Sequence, residues 1–208
     1  MTESKSHILK LSRLEGLTDG VFAIAMTILA LDLHLPTHMG ITTANLPQFF
    51  FSMVFFKFLI YVGSFAILGT LWVAMNFQLG LIRKLNRPYL WTHILYLMLV
   101  CIVPFSSSLL ASFPKSQLAI SVFAINLICA NGAQYLIFRC ANKYHLNGEL
   151  YNNEIHKAII QRMCVAPIFN ILALIVAYWN AGLAFIILIV PTVIYLFPGK
   201  VDRFNSGY

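Results

Sequence analysis

The chain has 208 residues, 60% of them hydrophobic and 10% charged, with a mean hydropathy of +0.80. Soluble domains carry about 25% charged residues, so this composition excludes a water-soluble globular protein and leaves room for about six membrane spans. The net charge is +7, but the basic residues lie between the apolar runs, where they mark topology and contact with anionic headgroups, so no nucleic-acid partner is expected.

The polar start MTESKSHILKLSRLEG has no small-residue cleavage site before the first apolar run, which therefore reads as a retained span. Helix 1 is expected over roughly 14–34 and stops before Pro36; it carries Asp19 and Asp32 near its two ends. Helix 2, about 48–82, is longer than a ~30 Å hydrocarbon core requires. It must tilt, or lay its aromatic start QFFFSMVFF in the interface. Helix 3, about 88–111, opens on Pro88 and contains Pro104; helix 4 covers about 116–142. Helix 5, about 155–179, contains Pro167, and helix 6, about 182–198, contains Pro191. Internal prolines predict kinks whose freed carbonyls find other partners. The expected fold is all-α: one polytopic membrane domain, 1–208, with six transmembrane helices and no internal repeat.

Loop charges orient the helices. Lys5, Lys10 and Arg13 precede helix 1; Arg83, Lys84 and Arg87 join helices 2 and 3; Arg139, Lys143, Lys157 and Arg162 surround the 4–5 loop; Lys200 and Arg203 follow helix 6. All fall on one side of a six-span chain, which predicts that both termini are cytoplasmic. Cys101, Cys129, Cys140 and Cys164 form no Cys-x-x-Cys pair and read as small buried thiols, with no metal site or cofactor expected.

On a wheel of about 100° per residue, Gly20, Ile24, Thr27, Ile28 and Leu31 fall within an arc of about 100°, and Asp19 points elsewhere. Composition alone reads that stripe as ordinary packing. A membrane carboxylate is costly and calls for a donor. Arg13, six residues earlier, is too far along the axis for an easy pair, so Trp72, Asn76 and His93 are the candidates on other helices. Lys57 reads as a snorkelling residue at the outer interface. Asn126, Asn131, Gln134 and Asn170 read as interhelical hydrogen-bonding groups, and His34 and His38 as surface residues.

The stretch RLEGLTDGVFAIAMTILALD resembles the first helix of the transmembrane protein 175 family of cation channels. That family's signature is Arg-x-x-x-Phe-Ser-Asp; Arg13 and Asp19 match, Thr18 replaces the serine and Leu17 the phenylalanine. SFAILGTLW, ending at Trp72, and CIVPFSSSLL, from Cys101, extend the similarity over roughly the first half of the chain. The resemblance implies a homotetramer in the bilayer of the cell membrane, with helix 1 of each subunit lining a path for potassium ions. It places aliphatic constriction rings at Ile24, Ile28 and Leu31 and a polar contributor to selectivity at Thr27, and it raises proton permeation as an accompanying property. It also makes Arg13, Thr18, Asp19, Trp72, Asn76 and His93 a structural network. The family's histidine at the end of helix 2 and asparagine in helix 3 look exchanged here, as Asn76 and His93, which predicts that these two face each other near Asp19.

Two functions remain. One is a passive potassium-preferring channel. The alternative is a proton- or sodium-coupled secondary transporter using Asp19 or Asp32, although helix 1 lacks the central break of many transporters. No His-Glu-x-x-His or Gly-x-Ser-x-Gly motif supports an enzyme.

Overall fold

The computed structural model describes residues 2–33, 54–149 and 151–196. Within them the chain forms α1 (Thr2–Leu31), α2 (Phe55–Gly80), α3 (Arg87–Ser112), α4 (Gln117–Lys143), α5 (Asn153–Val176) and α6 (Ala181–Leu196). The first five contain stretches long and apolar enough to cross a membrane, and α6 is a shorter apolar helix over its described residues. In α1 that stretch is Leu11–Leu31, but the helix begins at Thr2, well before the apolar run. No proline and no glycine occurs between Thr2 and Glu15, so nothing in the backbone interrupts the helix there. The expected helix 2 residues 48–53, His34, His38, Lys200 and Arg203 lie outside the described residues.

Side-chain caps fix three helix starts. Asn86 accepts a hydrogen bond from Tyr89 N at 2.9 Å, with Pro88 in the first turn of α3. Ser116 caps α4 and Asn152 caps α5, the latter accepting from Ile155 N at 2.8 Å. Each satisfies an N–H that the helix itself leaves unpaired.

α1 packs against α2 and α3; α3 also packs against α4, α4 against α5, and α5 against α6, which returns to α2 and α4. Phe22, Met75, Tyr96, Val100, Phe123 and Leu127 belong to one buried core that joins α1 to α4. α2 and α6 approach tightly at Gly63, where a Cβ would lie 2.8 Å from Ile189 Cδ1. Beside Pro104, inside α3, the backbone has a polar partner. In the orientation that satisfies both ends, the Asn126 amide donates to Leu99 O and accepts from Val103 N and Ser106 Oγ, each at 3.2 Å.

The expectation of buried thiols needs correction. Cys101, Cys129 and Cys164 are exposed on the helix surfaces and Cys140 is half-buried. In a bilayer both the outer and the inner helix faces are apolar, so an apolar neighbourhood in sequence did not imply the core.

Candidate ion path and the network that positions it

α1 divides lengthwise into two faces. Leu14, Thr18, Phe22, Ala25 and Leu29, spaced at three or four residues, are buried against the rest of the subunit. On the opposite side Ile24 is 62% exposed, Ile28 41% and Leu31 77%. Thr27 stands on the same open side, its hydroxyl donating to Ile24 O at 2.8 Å. That bond uses the hydroxyl proton and leaves oxygen lone pairs to accept a cation. Gly20 is also exposed, and a Cβ built there would meet nothing within 4 Å. The chain therefore offers a continuous, mostly aliphatic strip with one hydroxyl in it.

The helix is held in this rotation by adjacent residues that reach different partners. Trp72 Nε1 on α2 donates to Asp19 Oδ1 at 2.9 Å. Thr18 Oγ1 donates to Leu14 O at 2.8 Å and lies 2.8 Å from His93 Nε2 on α3. With the threonine proton on the carbonyl, His93 donates Nε2–H to the hydroxyl oxygen. Its buried Nδ1 is then an acceptor, with no partner among the described residues. The His93 ring lies between Tyr89 and Tyr96, centroids 6.1 and 6.2 Å away. Asn76 is half-buried one turn after Trp72, and no hydrogen bond from its side chain joins this network among the described residues. Arg13 is exposed at the basic end of α1 and does not join it either.

Other pairings had no signal in the sequence. Ser64 on α2 and Ser107 on α3, both buried, meet hydroxyl to hydroxyl at 2.7 Å, and the Tyr96 hydroxyl donates to Leu71 O at 3.3 Å. Spacing places such residues on helices, but the pairing depends on how each helix is rotated. Asp32, at the other end of α1, is half-buried and lines a small cavity with Lys57, Tyr61 and Ser107. Among the described residues no group of three or more His, Cys, Asp or Glu side chains is placed to hold a metal ion.

Residues 13–104, which hold the whole of this network, match the model of a family described as the endosomal/lysosomal potassium channel TMEM175. Over that stretch, a little under half of its length, the chain is similar to this family. One relative, a potassium channel of Chamaesiphon minutus, is 35% identical over 115 residues, covering 54% of this chain and 56% of the relative. Another, a potassium channel of a Chryseobacterium species, is 26% identical over 194 residues, covering 90% of this chain and 93% of that one. The match to the Chamaesiphon protein thus spans little more than half of its length, whereas the Chryseobacterium match runs nearly end to end. The crystal structure of a lysosomal potassium-selective channel TMEM175 homolog from Chamaesiphon minutus superposes with a TM-score of 0.77 at 24% identity, covering 95% of this chain and 99% of that one. The fold shared with that structure therefore extends beyond residue 104, through α4, α5 and α6.

Proposed function

We propose that the chain is one subunit of a homotetrameric, potassium-preferring cation channel, a single domain in which α1 of each subunit lines the pore. The observation that carries this reading is the pair of α1 faces: one locked onto α2 and α3, the other leaving Ile24, Ile28 and Leu31 open. The relatives, potassium channels in each case, support the choice of ion. Rings of Ile24, Ile28 and Leu31 form the constriction, where a hydrated cation sheds water at a cost and the path closes by dewetting. Thr27 hydroxyls replace part of the hydration shell, giving a modest preference for potassium over sodium. The only ligand is the permeant ion; no resident cofactor and no nucleic acid takes part. The site is the cell membrane, with both termini cytoplasmic, as the distribution of Lys and Arg supports.

The coupled-transport reading assigns Asp19 or Asp32 to carry protons or sodium, whereas the indole on Asp19 favours a positioning use of that carboxylate. Reconstitution separates the two. Liposomes holding a potassium gradient, with voltage clamped by an ionophore, should show passive flux that does not saturate. Flux that stops without an opposing proton or sodium gradient would sink the channel reading.

A further inference from the structure

At the end of the bundle opposite the basic loops, the end of α1, the start of α2 and the last turns of α3 come together. Between Asp19 and Arg83 the chain carries only two charged residues, Asp32 and Lys57. Both line one cavity of ≈ 20 Å³ at this junction, with Tyr61, Ser107 and Ser108. The buried Leu29 and Ile60 line it too. Ser107 reaches inward to the buried Ser64, hydroxyl to hydroxyl at 2.7 Å.

Asp32 and Lys57 are half-buried, and among the described residues no hydrogen bond or ion pair joins them directly. A charge at the edge of hydrocarbon is costly unless a counter-charge or polar groups answer it. A cavity needs about 10–15 Å³ to hold one water, and that water needs about two to four polar partners. This cavity meets both conditions. Its occupant must also suit both signs of charge. Lys57 disfavours a cation there, and Asp32 disfavours an anion. A water suits both, because it donates to a carboxylate while accepting from an ammonium. The hydroxyl of Ser107 spends one hydrogen bond on Ser64 and keeps capacity for another.

We propose that one water in this cavity links Asp32 to Lys57, and that the linked pair fastens this end of α1 to α2 and α3. Leu31, 77% exposed, immediately precedes Asp32, so the clasp sets where that side chain stands. Lys57 is thereby a positioning residue for Leu31. Its bearing on conduction rests on the ion path proposed for α1; the clasp itself does not.

The test uses the full chain in nanodiscs and reads the clasp and the path separately. Asp32→Asn and Lys57→Gln should each lower the unfolding temperature by about 2–4 °C, and the double substitution no further than the larger single loss. Exchange of the charges, Asp32→Lys with Lys57→Asp, should recover most of that loss, since a water bridges the pair in either direction. A high-resolution cryo-EM map should show one oxygen-sized density within hydrogen-bond reach of both side chains. The second readout is the preference for potassium over sodium, which the net charge of the mouth does not alter because both ions are monovalent. Lys57→Gln loosens the Leu31 ring and should weaken that preference about twofold or more, and Lys57→Arg, which keeps the charge, should preserve it. Additive losses in the cycle, no loss in either single variant, or direct contact of carboxylate and ammonium in the map overturns the proposal. Coupled stability with the same ion preference in every variant keeps the clasp and takes Leu31 off the ion path.

Discussion

A rotation of about 100° per residue carries Thr18 into the core and Asp19 to an exposed flank of α1 within reach of Trp72, so these neighbours bear on different energies. Thr18→Val removes the oxygen that accepts from His93 and leaves both ring nitrogens buried without partners, which costs about 1–3 kcal/mol. His93→Leu removes the unpartnered nitrogen together with the bond, while Thr18 keeps the Leu14 carbonyl, so its cost stays below about 1 kcal/mol. Unfolding of the two variants in one detergent checks the order; a larger loss for His93→Leu would refute it. Ile24 belongs to the other energy. Its side chain is open in the subunit, so Ile24→Ala removes little packing and its effect should fall on conduction. Widening or wetting the ring should raise single-channel current with weaker potassium preference, and Ile24→Asn should raise it further. An unchanged conductance in both variants would show that residue 24 is not at the narrow point.

At the level of helices, the prolines were legible inside the spans, and the polar side chain that α4 brings beside one of them was not. Pro104 has no N–H for the Val100 carbonyl. Beside that break Asn126 reaches across from α4 to Leu99 O and Val103 N. Asn126→Leu, close in volume, should therefore cost about 1–3 kcal/mol in the Pro104 chain and less in a Pro104→Ala chain, whose helix completes its own bonds. A double-mutant cycle measures that coupling, and additivity would refute it. Asn131, with the same residue type on the same helix, turns back to Leu127 O instead. Nothing in the two local sequences separates these uses, because the choice depends on which helix lies opposite. Hydropathy marked the spans for the same reason that it missed the exposed thiols: lipid and protein core both select apolar side chains. The Asp19–Trp72 bond joins two residues that sequence reasoning had already put forward. The expected meeting of Asn76 with His93 is absent among the described residues, because the imidazole is turned to Thr18.

For the molecule as a whole, the question is what covers the open face of α1, since an aliphatic strip is equally at home against lipid, a neighbouring helix or a dewetted pore. Exposure in one subunit does not separate these, but thiol chemistry does. The thiolate, which forms only where water reaches the sulfur, attacks a water-soluble cationic thiol reagent. A cysteine facing lipid stays protonated and unreacted, whereas a cysteine on a conducting path reacts and leaves a fixed positive charge there. Native Cys101, Cys129, Cys140 and Cys164 are first replaced by alanine or serine, because three of them are exposed. In that background Thr27→Cys and Leu31→Cys should react, and each should lose most of its potassium current. Ala25→Cys, on the buried face of the same helix and about 3 Å along its axis from Thr27, should keep its current. Protection of Thr27→Cys by high potassium would place that position on the ion's own route. If the current of Ala25→Cys falls while Thr27→Cys and Leu31→Cys are untouched, α1 presents its other face to the ions and the assembly must be built the other way round.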